Sequence, residues 1–174
     1  MKHARRNLVA MVALFVVIAG TLGAQEIRVS SSRGTAEILI PEAGWRQAVS
    51  GRLFPVGGSL ATWTDGRVAF EGLAAEIEIG GLSVLDLIGA EERLVMRLVS
   101  GTVSVRAGDV EVVVETGLGT LRLVRATASY SDGTLTVEEG DVIVESARGG
   151  QRLVAAPDSA RLGRIPVEPI FHRP

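Results

Sequence analysis

Apolar and polar residues alternate in short runs along most of the chain. The runs are about five to eight residues long, which is the period and length of half-buried β-strands. Apolar residues with helical spacing are hard to find beyond the first segment. Strands are therefore predicted for the clearest runs, at residues 36–40, 67–70, 75–79, 82–87, 94–99, 102–105, 110–114, 120–124, 126–130, 134–137 and 142–144.

Glycine and aspartate residues separate these runs. Both are typical of turns, because glycine tolerates positive φ and the aspartate side chain can bond to the nearby backbone. Turns about 8 to 12 residues apart are shared by sandwiches, barrels and β-solenoids. The turn residues include Asp65-Gly66, Gly80-Gly81, Gly101, Gly108-Asp109, Asp132-Gly133, Gly140-Asp141 and Gly149-Gly150.

One strand-turn-strand unit recurs in the chain. Residues 99–105 (VSGTVSV) align with residues 138–144 (EEGDVIV), so that Gly101 matches Gly140. A second register also aligns Gly108 with Gly140, which indicates a recurring unit and not a strict array. Units of this kind stack and share a core in solenoid-like folds. The expected fold is a single all-β domain of short strands, built as a solenoid-like β-roll or a sandwich after an N-terminal signal helix.

The start of the chain has the order of residues found in a secretory signal peptide. Basic residues at positions 2–6 precede an uncharged apolar run at 8–19, and small residues lead up to Ala24. The run is about 12 residues long, which suits a signal peptide and is short of the ~20 residues of a spanning helix. We expect residues 1–24 to be removed after Ala24, giving a periplasmic or secreted protein. Retention of this segment as a membrane anchor is the alternative.

The remaining chain divides into three parts. Residues 25–44 carry Pro41 and are predicted to form a lead-in strand and a loop, and residues 45–162 form the β-domain. Residues 163–174 contain three prolines, and proline removes donors from a strand ladder, so an extended or disordered tail is predicted. A chain of about 150 residues can bury about 70% of its unfolded surface, so one domain is expected.

Charge and composition narrow the class of partner. The chain has 18 basic and 20 acidic residues, for a net charge of −2. Loss of the basic start would make it more acidic, whereas nucleic-acid binding requires a basic surface. Nucleic acid is therefore not an expected partner. The chain has no cysteine, which excludes disulfides and cysteine-based metal sites.

Residues suited to catalysis are few. His172 is the only histidine beyond the signal segment, and a histidine in the proline-rich tail cannot be held rigidly beside a nucleophile. Carboxylate chemistry remains, as in glycosidases, which use two carboxyl groups about 5 to 10 Å apart. The candidate acids are Glu138 with Glu139 and Asp141, Glu76 with Glu78, and Glu91 with Glu92. Strand alternation and neighbouring turns favour solvated positions for these acids, so no catalytic, cofactor-binding or metal-binding residue is predicted.

Trp45 and Trp63 allow two interpretations. On an exposed face they could stack on a sugar ring, and in the interior they would fill the ends of an aliphatic core. Aromatic residues make up only 4% of the chain. Burial is therefore predicted for both tryptophans.

Five segments of the chain carry recognisable packing motifs. GRLFPVGGSLAT at residues 51–62 is similar to the opening G-x-L-x-x-G-x-x-L-x-T of the FecR-type periplasmic domain, with one residue extra between the glycines. LVMRLVSGTVSV at 94–105 and LTVEEGDVIV at 135–144 resemble its central and closing strand pairs, VVVET at 112–116 resembles its v-x-T strand, and QRLVAA at 151–156 resembles its final strand. The resemblance covers residues 45–162 and rests on packing motifs, so it implies a fold more than an activity.

The resemblance has limits. The family has an Arg-Gly-Thr-like segment where this chain has Arg125-Ala-Thr127. Named members place a sigma-factor-binding segment before a membrane helix, whereas only residues 1–7 precede the apolar run here. The resemblance therefore implies an exported β-domain that binds or scaffolds a partner, and it does not imply iron signalling.

The expected function is that of a non-catalytic interaction or scaffold module of the cell envelope. Such a module presents a sheet edge or a loop face to a protein or glycan partner. No cofactor is expected, and membrane contact is expected only if the signal segment stays uncleaved. The alternatives are a carboxylate-based, polysaccharide-active enzyme on a β-roll and a membrane-anchored structural protein.

Overall fold

The computed structural model describes residues 26–147 and 149–162. Within these ranges the chain forms sixteen strands in two sheets, joined by turns and loops. No helix that could cross a membrane is found among the same residues. The all-β prediction is therefore confirmed, whereas the predicted signal helix (1–24) and tail (163–174) lie outside the described residues.

The strands are short and follow one another closely. In chain order they are β1 (Arg28–Arg33), β2 (Ala36–Ile40), β3 (Gly44–Gln47), β4 (Ser59–Thr62), β5 (Arg67–Gly72), β6 (Ala75–Ile79), β7 (Val84–Ala90), β8 (Leu94–Ser100), β9 (Thr102–Ala107), β10 (Val112–Thr116), β11 (Gly119–Leu123), β12 (Ala126–Ser131), β13 (Thr134–Glu139), β14 (Asp141–Ser146), β15 (Gln151–Ala155) and β16 (Asp158–Arg161). Sheet A has the order β1-β5-β6-β9-β12-β13-β16, and sheet B has the order β15-β14-β11-β10-β8-β7-β4-β2-β3.

The chain passes repeatedly from one sheet to the other. β5 and β6 lie in sheet A, β7 and β8 in sheet B, β9 in sheet A, and β10 and β11 in sheet B. Paired strands are antiparallel, with the exception of β8 and β10, which run parallel with Leu94 opposite Val112. This winding gives two sheets that share one core among the described residues, which agrees with the predicted all-β domain of short strands.

The core lies between the two sheets and consists largely of alternate residues of the longer strands. In β6 the apolar positions are buried and both glutamates are exposed. Phe54 and Phe70 pack edge to face inside the core, with ring centroids 5.4 Å apart. Full burial of each large apolar side chain contributes about 1.5–3 kcal/mol. Burial of these alternating apolar side chains therefore holds the two sheets together.

Gly140 forms a corner at which the chain passes from sheet A to sheet B. It joins β13 to β14 with a φ of 73°, a region that favours glycine. A Cβ at this position would collide with the carbonyl oxygen of Arg125. Gly101 joins β8 to β9 in the same way, with a φ of 92° and Ser83 against the position of its missing Cβ. The recurring unit of the sequence is therefore a corner between the sheets.

Every predicted strand coincides with an observed strand, although some ends differ by a few residues. The pattern does not predict β3, β4 and β16, because each has only four residues and mixes polar with small side chains. Residues 26–44 form β1, β2 and the start of β3, in place of one strand and a loop. Ile27, Val29 and Ile38 from this segment are buried in the common core.

Candidate functional site

A row of polar side chains crosses the outer face of sheet A near one end. Glu71 on β5 lies opposite Glu76 on β6, which lies opposite Arg106 on β9. On β12, Thr127 lies opposite Arg106 on one side and opposite Glu139 of β13 on the other. These five residues contribute to the lining of the sheet A hollow, a depression of about 630 Å³.

Acidic groups outnumber basic ones in this row. The Arg106 guanidinium lies 3.1 Å from a carboxylate oxygen of Glu76, and both side chains are exposed. Exposed pairs of this kind contribute only about 0–1 kcal/mol. Within the described residues Glu71 and Glu139 form no ion pair. Their carboxylates can accept hydrogen bonds from the hydroxyl or ammonium groups of a ligand.

The acids of the Glu138, Glu139 and Asp141 group are divided in the fold. Glu139 lines the sheet A hollow, whereas Glu138 lines an adjoining hollow of about 550 Å³, which Glu76 and Glu78 also line. Asp141 begins β14 in sheet B. The segment Glu138-Glu139-Gly140-Asp141 is therefore a corner and not one acidic site. The candidate acids that do share the sheet A hollow are Glu76 and Glu139, which come from different predicted groups.

The remaining candidates lie elsewhere. Glu91 and Glu92 are in the turn between β7 and β8 and line a hollow of about 720 Å³ beside sheet B. No group of histidine, cysteine, aspartate and glutamate side chains that could hold a metal ion occurs in residues 26–147 and 149–162. His172 lies outside the described residues.

The predicted burial of the two tryptophans is wrong. Trp45 is 46% exposed and Trp63 is 45% exposed. Trp45 belongs to β3, an edge strand whose four residues are all exposed. Trp63 follows β4 where the chain leaves sheet B. Phenylalanines fill the interior instead, with Phe54 and Phe70 both fully buried.

Both tryptophans lie on the outer face of sheet B. Trp45 is opposite Leu39 of β2. The Trp63 N–H donates to the carbonyl oxygen of Thr35 at 3.0 Å, which extends the ladder of β2 and β4 by one pair. Alternation from Ala61 turns Trp63 outward, and strand spacing places the two tryptophan Cα atoms on the order of 16 Å apart. Trp45, Leu39, Ala61 and Trp63 together form the tryptophan face.

A comparison of the chain with models of known protein families found no match, and neither did a comparison with curated proteins. The function therefore has to be inferred from the two surfaces, which are the sheet A hollow and the tryptophan face.

Sequence reasoning does not find the row across the sheet A hollow. Glu71, Arg106 and Glu139 come from three separate strands and meet only through the pairing register. The available signal is the alternation of Glu76 and Glu78, which correctly indicates that β6 has a polar outer face. Alternation identifies the face on which a side chain lies, but it does not identify the side chain opposite.

Proposed function

We propose that the chain is a non-catalytic interaction module that binds a protein or glycan partner through the tryptophan face. The observation that carries this proposal is the half-exposure of Trp45 and Trp63, whereas Phe54, Phe70 and Tyr130 are buried. Tryptophan is enriched at the centres of binding interfaces, because it offers a large apolar surface with one polar donor. The signal-like start and the resemblance to FecR-type domains support an exported module of the cell envelope.

The surroundings of the tryptophans also support binding. Leu39 lies beside Trp45 and is only partly buried, and the small Ala61 lies on the same face. Glu37 lies opposite both Ala61 and Gln47 and adds polar groups to this apolar surface. A mixture of aromatic, aliphatic and polar side chains matches the usual anatomy of an interface. A partner would bury apolar surface here and donate a hydrogen bond to the Glu37 carboxylate.

Intrinsic fluorescence can test this proposal directly, because Trp45 and Trp63 are the two tryptophans of the chain. We expect envelope fractions that contain the partner to shift the tryptophan emission and to retain the protein in a pull-down. Retention should fall at least about tenfold for the double variant Trp45→Ala/Trp63→Ala, which corresponds to a loss of about 1.4 kcal/mol.

Leu153→Ala is the matched control. Leu153 is 61% exposed and lies on β15, at the opposite edge of sheet B. Its loss should leave retention unchanged. Full retention of the double tryptophan variant would show that the partner binds elsewhere, and the proposal would then be wrong.

We retain a carboxylate-based, polysaccharide-active enzyme as the second candidate function. The observation that favours it is the presence of Glu76 and Glu139 in the same hollow. Paired carboxyl groups are the minimum requirement for glycoside hydrolysis. Release of reducing sugar from cell-wall polysaccharides would measure turnover, and both Glu76→Gln and Glu139→Gln should abolish it.

Glu42→Gln, in the turn between β2 and β3, is the control for this second test and should keep full turnover. Absence of turnover by the unmodified protein would reject the enzyme and leave the binding proposal intact, because the two functions use different sheets.

A further inference from the structure

The last strand of sheet B has an open edge. β3 pairs with β2 on one side, and no described strand lies on its other side. All four of its residues are exposed. An unpaired edge is a template for another strand, and proteins usually block such edges.

β1, the edge strand of sheet A, is covered by a loop of the chain, in contrast to β3. β1 ends sheet A, and the Val29 N–H donates to the Arg52 carbonyl at 2.9 Å, while the Gly51 N–H donates to the Val29 carbonyl at 2.8 Å. The Ser50 hydroxyl donates to the Ser30 carbonyl at 2.9 Å. The loop after β3 therefore occupies the free side of β1 and leaves the free side of β3 open.

The hydrogen-bond pattern identifies which groups on β3 are free. The Ala48 N–H donates to the Ala36 carbonyl at 2.9 Å, and Arg46 lies opposite Ile38 two residues earlier. Antiparallel partners alternate between bonded and non-bonded pairs, so Arg46 directs its N–H and C=O toward β2. Trp45 and Gln47 direct theirs away from the sheet. Neither residue forms a backbone hydrogen bond on that side within the described residues.

The side chains restrict the chemistry of an added strand. Trp45 offers an apolar contact on the outer face, next to Leu39. Arg46 is exposed and forms no ion pair among the residues described. In an added antiparallel strand, an acidic residue opposite Arg46 would make a favourable cross-strand pair. Apolar residues on either side of that acid would contact Trp45 and the aliphatic part of Gln47.

We infer that β3 binds an extended peptide segment of a partner protein as an additional strand of sheet B, with an acidic residue opposite Arg46 and apolar residues beside it. This inference rests on the proposed function, since it specifies the partner of the tryptophan face. Strand addition uses backbone hydrogen bonds for affinity and alternate side chains for specificity. Four backbone groups, two from Trp45 and two from Gln47, are available for it.

A second copy of the chain fits this edge less well. The antiparallel register that uses all four free groups pairs Trp45 with Gln47 of the other copy and sets Arg46 opposite Arg46. Like charges directly opposite each other destabilise a strand pair. A glycan could stack on Trp45 but lacks the regularly spaced amide donors that the backbone of β3 matches.

The first experiment uses two blocked synthetic peptides, Thr-Val-Glu-Val-Thr and Thr-Val-Lys-Val-Thr. Tryptophan emission of the full protein and amide shifts in ¹H–¹⁵N spectra report binding. We expect the glutamate peptide to bind about fivefold more tightly than the lysine peptide, with the largest amide shifts at Trp45 and Gln47. Arg46→Glu should reverse this preference, and Arg152→Glu on the other edge strand of sheet B should not.

The second experiment removes one backbone donor. Gln47→Pro deletes an N–H that faces away from the sheet, and proline is tolerated at such edge positions. Peptide affinity should fall about fivefold or more, and further than for Gln47→Ala, which shortens the same side chain but keeps the N–H. If Gln47→Pro did not fold, the charge reversal at Arg46 would still decide the question.

The outcomes separate this inference from the proposed function. Equal binding of both peptides, or full binding by Gln47→Pro, would overturn strand addition. If a chitin oligosaccharide shifted the tryptophan emission in a manner that required Trp45 but not the Gln47 N–H, the face would bind glycans and the inference would be wrong. Retention of envelope partners that survives loss of both tryptophans would reject the proposed function itself.

Discussion

Gly101 and Gly140, both with positive φ, form two of the corners at which the chain passes between the sheets. Gly140 has positive φ, and the space where a Cβ would lie is occupied by the Arg125 carbonyl. The flanking Val137, Val142 and Val144 are buried, and Glu138 and Glu139 are exposed. Alternation predicts the buried valines and the exposed Glu138, because it is a local property of the chain. Glu139 is exposed next to the corner, where the register between β12 and β13 shifts.

Gly140→Val should destabilise the fold by more than about 1 kcal/mol, because a β-branched residue disfavours positive φ and also collides with the backbone. The free energy of unfolding from urea titration would measure the loss. Gly117→Val is the control and should change stability much less, because no atom lies within 4 Å of the point where its Cβ would be. Equal stability of both variants would contradict the corner geometry.

Ser83 supports the second corner through its hydroxyl. It is completely buried, accepts the Thr102 N–H at 2.9 Å and donates to the Gly81 carbonyl at 3.2 Å. Ser83→Ala should cost about 1–3 kcal/mol, because it leaves the partly buried Thr102 N–H without this partner. A thermal melt would measure the effect. Ser50→Ala is the control, since its hydroxyl bond is exposed and its loss should cost within about 0.5 kcal/mol.

The exposure of the tryptophans is the residue-scale feature that sequence reasoning gets wrong. Trp45 is exposed because it is on an edge strand, and the position of a strand within a sheet depends on the whole topology. The low aromatic content of the chain does not indicate whether the strand that carries a tryptophan lies at the edge of a sheet. The same limit applies to the sheet A hollow, where Glu71 and Glu139 share a surface only because intervening strands bring them together.

At the scale of the strand, the sequence predicts long alternating runs well and short polar strands poorly. β6 and β12 bury alternate residues and are predicted from that pattern. β3 has no buried residue at all, so it has no apolar period to detect. β3 is held in place by its pairing with β2. Strand pairing depends on the whole topology and cannot be read from a local pattern of residues.

The direction of the backbone groups on β3 can be tested without any ligand. Arg46→Pro removes an N–H from the ladder with β2 and should destabilise the fold by about 1–3 kcal/mol. Gln47→Pro removes an N–H on the open side and should change stability much less. Circular dichroism melts of the two variants would compare them, and a larger loss for Gln47→Pro would mean that the opposite side of β3 is free.

Residues 26–147 and 149–162 share one core, to which the lead-in segment contributes. Ile27, Val29 and Ile38 belong to the same buried cluster as the residues of β5 to β14. Burial of each such side chain is worth about 1.5–3 kcal/mol, and the total stability of a domain is only about 5–15 kcal/mol. The first two strands are therefore a large part of what keeps the protein folded.

A chain that starts at Trp45 should accordingly lose its cooperative unfolding transition or melt at a much lower temperature. Removal of β1 and β2 uncovers Val68 on β5 and Leu60 on β4 as well as deleting core residues. A chain that starts at Glu26 and ends at Leu162 is the control. Similar differential scanning calorimetry traces for the two would show that residues 45–162 fold independently.

The order of strands within each sheet has a consequence for assembly. Apart from the exchange of β2 and β3, both sheets add strands in the order in which they occur in the chain. A chain that emerges in sequence order can therefore lay each new strand, from β3 onward, against a finished neighbour. The growing end always presents a temporary edge, which the next strand closes within a few tens of residues. We therefore expect partially made chains to form shorter versions of the same two sheets, as in repeat proteins whose units contact only their neighbours.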